Sequence, residues 1–274
     1  MYINCKGELI DLSTPRVMGI INITPDSFFS GSRAQTNSDI LKKAERMLKE
    51  GATFLDLGAY SSRPGATDIS EEEEINRLLP AIEVILKEFP EALLSLDTFR
   101  SKVARKGIEA GGAIINDISG GKLDVHMLQT VAELQVPYIL MHMKGTPQNM
   151  KDQNQYDDLL KDILFYFSDR VNAARQLGIN DIIVDPGFGF AKNIRQNFEL
   201  LSKAELLQML ELPILIGLSR KSMIWKTLEI EAAEALNGTS VLNTVALQKG
   251  AHILRVHDVK EATECIKLTS EIIN

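Results

Sequence analysis

Phe54-Leu55-Asp56-Leu57-Gly58 is a short apolar run that closes on glycine, and Leu93-Leu94-Ser95-Leu96-Asp97 is a second that closes on a carboxylate. Between them Ile75, Leu78, Leu79, Ile82, Ile85 and Leu86 recur at the spacing of one helix face. Ser70 and Glu73 read as a capping box at the start of that helix. The stretch is therefore one strand–helix–strand unit. Working outward, the same unit recurs. Upstream lies Val17 to Ile23, closing on Asn22-Ile23-Thr24-Pro25-Asp26 and followed by a stripe of Ile40, Ala44, Met47 and Leu48 that Gly51 ends. Downstream lie Ala113 to Asn116, Tyr138 to Met141, Ile182 to Asp185, Ile214 to Gly217 and Ile253 to Val256, with Asp258 and Glu261 placed to cap the last helix. Runs without alternation suit strands buried on both faces of a parallel sheet. Eight such units predict an α/β fold, a single (β/α)8 TIM barrel over residues 1–274. The first fifteen residues form a hairpin-like extension at the barrel bottom. The competing architecture is an open doubly wound sheet. No GxGxxG follows an early strand, however, and the polar strand ends are spread over all eight units.

Composition narrows the function. At 45% hydrophobic, 274 residues fill the core of one large α/β domain. A net charge of −7 with no lysine or arginine run excludes a surface that displaces counterions from nucleic acid. An anionic ligand must then be held by a few focused positive groups. Cys5 and Cys265 stand at opposite ends of the chain without metal-ligand spacing, which predicts free thiols in a reducing cytoplasm. Met1 to Ser13 has no basic stretch leading into an apolar run, so no signal peptide is expected. No apolar run reaches membrane-spanning length.

Barrel chemistry gathers at the C-terminal ends of the strands. Those ends offer Asn22, Asp56, Asp97, Asn116, His142, Asp185, Lys221 and Arg255 in chain order. Buried charges need partners, so such a set points to a ligand. Strands seven and eight lead into Gly217-Leu218-Ser219-Arg220-Lys221-Ser222 and Arg255-Val256-His257-Asp258, where barrels commonly seat phosphate. Arg255 offers a forked donor, His257 another, and the helix after Asp258 its free N–H groups. Arg63, in Ser61-Ser62-Arg63-Pro64-Gly65-Ala66, stands to close over the same anion. The plainer reading of Arg255 is a partner for a strand-end carboxylate. Asp185-Pro186-Gly187-Phe188-Gly189-Phe190 ends strand six, and its glycines permit a sharp bend. Asp185 beside Asn116 matches the donor-rich edge of an aminopyrimidine ring, against the plainer reading of a strained turn with Asp185 as a helix cap.

These residues carry a resemblance. Met18-Gly19-Ile20-Ile21-Asn22-Ile23-Thr24-Pro25-Asp26-Ser27-Phe28 resembles the first signature of the dihydropteroate synthase family, and Ser61-Ser62-Arg63-Pro64-Gly65 its second loop. Asp97-Thr98, Ile115-Asn116-Asp117, Asp185 to Phe190, Ser219-Arg220-Lys221 and Arg255 to Asp258 resemble the later motifs in the same order. The resemblance implies condensation of 4-aminobenzoate with a dihydropterin diphosphate, releasing diphosphate and forming dihydropteroate. It implies Asp97, Asp185, Lys221 and Arg255 as catalytic residues, and Asp97, Asn116, Asp185 and Lys221 on the pterin. It puts Asn22, Arg63, Arg255 and His257 on the diphosphate, with Asn22 also on Mg2+. It puts Ser62, Pro64, Phe190, Lys221 and Ser222 around the aminobenzoate, and it implies a homodimer through the last helices. The loops depart from the pattern. Phe29-Ser30-Gly31-Ser32 stands where many members have an acidic residue, which leaves Asp26 to meet Arg63. Tyr60 and Ser62 stand where glutamate and threonine are frequent.

Other residues have plainer readings. His126 reads as surface or packing, Trp225 as core or interface, and Glu71 to Glu74 as a charged first turn that needs only the helix dipole. Val241 to Leu247 packs on the barrel or on a second copy. Three rival functions compete. A pterin-dependent methyltransferase barrel would not need the anion seat. A Schiff-base aldolase would need Lys221 in an apolar pocket, without the anion that raises its pKa. A pterin sensor would have lost some of its site.

Overall fold

Lys6 and Gly7 both lie at positive φ, 54° and 85°, the backbone of a two-residue hairpin turn. They join strand β1 (Tyr2–Cys5) to β2 (Glu8–Asp11), paired with Cys5 opposite Glu8. Ile3, Cys5 and Leu12 are buried against Met18, Phe54, Ile114, Ile139, Ile183, Leu215 and Ile253. Those seven come from the first halves of the strands that follow, so the hairpin plugs the bottom of the barrel, as the sequence leads one to expect. This computed structural model describes residues 1–23, 33–60 and 68–273.

The remaining strands are β3 (Arg16–Asn22), β4 (Phe54–Gly58), β5 (Leu93–Asp97), β6 (Ile114–Asp117), β7 (Tyr138–Met141), β8 (Ile182–Asp185), β9 (Leu215–Ile216) and β10 (Ile253–Val256). They form one parallel sheet in the order β8-β7-β6-β5-β4-β3-β10-β9. A parallel bridge between Val184 and Ile214 joins its two edges, with the Val184 N–H donating to Pro213 O at 2.9 Å. The barrel is thus closed, and an open doubly wound sheet is excluded. The helices are α1 (Arg33–Lys49), α2 (Glu71–Glu88), α3 (Ser101–Glu109), α4 (Met127–Leu134), α5 (Leu159–Gln176), α6 (Ile194–Ser202), α7 (Ser222–Leu228), α8 (Leu236–Gln248) and α9 (Val259–Ile273). None among the described residues is long and apolar enough to cross a membrane.

The strands do alternate, which their apolar character hides. Val17, Ile21, Leu55, Leu57, Leu94, Leu96, Ile115, Leu140, Val184, Leu254 and Val256 face outward into the helix layer. The other parity faces inward, with Met18, Phe54, Ile114, Ile139, Ile183, Leu215 and Ile253 at the bottom. Two residues further along their strands, that parity places Asp56, Ser95, Asn116 and Arg255 in one interior layer, with Asp185 facing inward beside it. Asp117 takes the outward parity and is knotted locally. It accepts from Ser119 N and Oγ, Gly121 N and the Tyr138 hydroxyl at 2.6–2.7 Å.

Three local expectations are corrected. Ser70 caps α2 by accepting from Glu73 N at 3.1 Å, but Glu73 turns to Arg77 at 2.8 Å, so the box is half made. Glu74 does more than face the helix dipole: it is fully buried and pairs with Arg100 at 2.7 Å. Asp258 does not turn back on its helix, because both its oxygens take Arg220, at 2.9 Å each. Trp225 packs against the core, as do Leu242, Val245, Ala246 and Leu247, while Val241 stays exposed. Both cysteines are buried and free.

Candidate active site

Asp56 organises the interior layer. Fully buried, it accepts from Ser95 Oγ at 2.6 Å, from Asn116 Nδ2 at 3.1 Å and from Arg255 Nε at 2.7 Å. Arg255 Nη2 reaches Asp56 at 2.5 Å and Asp97 at 2.7 Å. Arg255 is thus a bridge between two strand carboxylates, the plainer of its two readings, and its Nη1 has no protein partner among the described residues. Burial opposes the guanidinium charge, but Asp56 and Asp97 outweigh it and raise the Arg255 pKa. Burial lifts the Asp97 carboxyl above its ordinary range against the pull of Arg255. Because Asn116 spends its Nδ2 on Asp56, the amide is oriented, and its Oδ1 is left as an acceptor for a ligand.

Asp185 closes β8 beside this layer. Its Oδ1 accepts from Gly187 N at 2.7 Å. Burial raises its pKa, with Lys221, the Gly187 N–H, Arg255 and Lys192 pulling it back. Gly187 has φ +69°, and a Cβ there would stand 2.1 Å from His142 O, so this turn admits only glycine. Lys221 directly precedes α7. Its Nζ donates to Phe188 O and lies 5.1 Å from the centre of the Phe190 ring. Burial pushes Lys221 down to about 8, with Asp185 opposing. Without its ligands the protein therefore holds Lys221 at a lowered pKa, where an adjoining anion is expected to raise it. Arg220, at φ +55°, turns the other way to Asp258 and to Ala233 O at 2.5 Å. That reversal sends Lys221 inward.

Above the layer, Ser219 Oγ accepts from His257 N at 3.2 Å and lies 3.0 Å from His257 Nδ1. With the hydroxyl proton given to Nδ1, the neutral ring carries its proton on Nε2, a donor for an anion. Burial, then Arg255, pushes His257 down to about 4, so it is neutral at physiological pH. The first N–H groups of α9 begin two residues later, at Val259. Ser222 opens α7 and is exposed.

Asn22 ends β3 and has no protein hydrogen bond from its side chain among the described residues. A Cβ on Gly58 would stand 3.7 Å from Asn22 Oδ1 and 3.7 Å from Asp97 Oδ2. Gly58 thus leaves Asn22 Oδ1 and Asp97 Oδ2 facing one spot, the latter already held by Arg255 Nη2 at 2.7 Å. That donor set fits a hard cation holding few protein ligands and several waters. No cluster of three or more His, Cys, Asp or Glu suited to a metal occurs among the described residues. Ser62, Arg63 and Pro64, with Asp26, lie outside the described residues.

Two residues of the site have no role in the sequence reading. Asp56 was visible only as one strand-end carboxylate among several; strand parity, which aligns it with Ser95, Asn116 and Arg255, is the signal that singles it out. Lys192 carries no motif of its own. It is buried, with Nζ 3.0 Å from His142 Nδ1, Gly187 O and Phe190 O. His142 is therefore a support beneath the Asp185–Phe190 turn. His126 is exposed at the start of α4, and His252 accepts from Ile214 N at 3.1 Å.

The chain matches the family model for pterin-binding enzymes over residues 18–257. It is 40% identical to the dihydropteroate synthase of Escherichia coli K12, covering 100% of this chain and 97% of that protein. Among solved structures it resembles the Yersinia pestis dihydropteroate synthase in complex with a sulfonamide drug, at TM-score 0.92 and 39% identity, covering 99% of this chain and 98% of that one. It equally resembles the Xanthomonas albilineans dihydropteroate synthase with 4-aminobenzoic acid, at TM-score 0.92 and 37% identity, covering 99% and 97%. Motifs, closed barrel and relatives agree: the chain is a transferase that belongs to the dihydropteroate synthase family of pterin-binding enzymes.

Proposed function

We propose that the chain condenses 4-aminobenzoate with (7,8-dihydropterin-6-yl)methyl diphosphate, giving 7,8-dihydropteroate and diphosphate by a dissociative substitution. The observation that carries this reading is the interior layer itself. Asn116 Oδ1 and Asp185 present acceptors to a ring edge rich in N–H donors, and Lys221 presents a donor beside them. His257 Nε2, Arg255 Nη1 and the start of α9 form the anion seat, with Arg63 added from the second loop. Phe190 and Lys221 line the aminobenzoate side, with Ser222 at the mouth and Ser62 and Pro64 from the same loop.

The C–O bond between the methylene and the diphosphate breaks first, and its electron pair leaves with the diphosphate. His257 and the α9 N–H groups stabilise the charge that grows there. Asp97 and Asp185 stabilise the positive charge that spreads into the dihydropterin ring. The neutral arylamine attacks the methylene, and its proton passes to the departing diphosphate, so no strong protein base is needed. Asp56 and Asp97 pair with Arg255, and Asp185 lies in the field of Lys221 and Lys192, so three carboxylates stand against three cations. A diphosphate therefore brings a charge that the site does not offset alone. Asn22 Oδ1 would hold Mg2+ together with substrate oxygens and water, and the bound ion would neutralise the leaving group. The chain is further proposed to pair with a second copy through α8 and α9, where Val241, Leu268 and Ile272 are exposed.

The test is diphosphate release with Mg2+, with and without 4-aminobenzoate, while dihydropteroate is followed by chromatography. Release coupled to dihydropteroate formation supports the reading. Binding without product refutes it in favour of a sensor. Light scattering tests the dimer.

A further inference from the structure

Lys192 is used neither in the pterin layer nor in the anion seat, yet its buried ammonium is held against the turn that carries Phe190. Its side chain folds back under the turn that follows β8. The three hydrogens of a lysine ammonium meet three acceptors: Gly187 O, Phe190 O and His142 Nδ1, each at 3.0 Å. Two of these carbonyls belong to the turn, one directly after the Asp185 turn proline and the other on Phe190 itself. The third acceptor, His142, comes from the residue that follows β7. His142 is buried and edge-on to Tyr166, with ring centres 4.8 Å apart. Burial, then Lys192, pushes the His142 pKa well down, so the ring stays neutral and keeps Nδ1 free to accept. Tyr156 adds an outer tie by donating to Ala191 O at 3.0 Å.

We propose that Lys192 is a positioning residue for the reaction assigned above. Its ammonium clamps the Gly187–Phe190 turn, and the turn sets the Phe190 ring and the Phe188 carbonyl that anchors Lys221. The inference rests on the proposed synthase reading for its functional consequence, but not for its structural content. Lysine suits the task better than arginine, because three convergent acceptors around one nitrogen match a compact ammonium and not a planar fork.

Burial brings Lys192 down to about 7, with Asp185 opposing and Lys221 and Lys144 adding to the fall. The groups facing it are therefore His142, Asp185, Lys221 and Lys144. Of these, Asp185 favours the charged form, the two lysines disfavour it, and His142 accepts from it. Deprotonation would leave three acceptors sharing two donors, so the clamp loosens as pH rises through neutrality.

The experiment uses the full-length protein with 13C at lysine Cε and 15N on the backbone, titrated across neutral pH by NMR. One lysine signal should titrate near 7, be absent from Lys192→Arg, and move together with the Phe188–Phe190 amides. In kinetics, Lys192→Met should raise KM for 4-aminobenzoate about tenfold, with kcat changed about twofold or less, the signature of lost ground-state positioning. Lys192→Arg should recover less than half of that loss. Turn amides that stay in place through the lysine titration overturn the proposal, as does a wild-type KM in a folded Lys192→Met protein. Where Lys192→Met does not fold, the wild-type titration alone decides. A wild-type protein that forms no dihydropteroate sinks the synthase reading, and the NMR result still judges the clamp.

Discussion

Replacing Asp56 by asparagine should disturb the site without removing a ligand-facing residue, because one carboxylate aligns both Asn116 and Arg255. It accepts hydrogen bonds from Ser95, Asn116 and Arg255 Nε, and Arg255 Nη2 stands 2.5 Å from it as an ion-pair contact. An amide keeps one oxygen. Its NH2 must then face either Asn116 and Ser95 or the guanidinium, which sets donor against donor. Removing one partner of a buried ion pair costs about 3–5 kcal/mol. Asp97 still holds Nη2 at 2.7 Å, which argues for the lower end, about 3 kcal/mol. For a chain of this size that is a fall of about 6–12 °C in Tm. Loss of the bond that orients the Asn116 amide should weaken binding of a dihydropterin lacking diphosphate by about 10- to 100-fold. Thermal melting followed by circular dichroism reads the first quantity and titration calorimetry the second. Ser95→Ala is the control: it removes one hydroxyl and leaves Arg255 paired, so it should shift Tm by about 2–4 °C. An Asp56→Asn protein that melts with the wild type and binds pterin equally well would refute the view that this carboxylate organises the layer.

Lys221→Ala and Asp185→Asn should each lose most synthase activity while circular dichroism still reports a folded barrel; wild-type turnover in either sinks the pterin-pocket assignment. His257→Ala should weaken binding of the diphosphate substrate far more than binding of a pterin without diphosphate, and equal losses by calorimetry would remove His257 from the anion seat. Gly187→Ala should lower Tm sharply, because its Cβ would meet His142 O at 2.1 Å from a left-handed backbone; an unshifted melt would count against the turn geometry. His257 has a depressed folded pKa, near 4 against an ordinary 6.5. The unfolded chain therefore takes up its proton first on acidification. Stability from this group is complete above 6.5 and is lost as pH falls toward 4. His257→Gln should flatten that part of the stability–pH curve measured by urea unfolding, and an unchanged curve would contradict the burial argument.

The barrel was legible because its apolar runs and helix stripes repeat eight times, and the polar strand ends named most of the site. The roles of those polar residues were less legible. That Arg255 could pair with a strand-end carboxylate was legible along the chain, but strand parity was needed to single out Asp56 as that carboxylate. Glu74 could not be told from Glu71 to Glu73 by composition, since its burial depends on Arg100 arriving from beyond the next strand. Lys192 follows Phe190 with no motif, and its place under the turn depends on Ala191 adopting φ +50°. Ser62, Arg63 and Pro64 retain only the roles that the family resemblance gives them.

The barrel seam has a consequence for dynamics. β8 and β9 meet through one bridge, Val184 to Ile214, whereas β4 pairs with β3 across five residues from Phe54 to Gly58. Asp185 leaves one side of that seam and Lys221 follows the other. A ligand held by both crosses the weakest edge of the wall and contributes contacts that the backbone there does not make. Amide hydrogen exchange at Val184 should therefore slow on pterin binding more than exchange at Leu55 or Leu57, and the enzyme's own substrate would reinforce the thinnest seam of a barrel already closed.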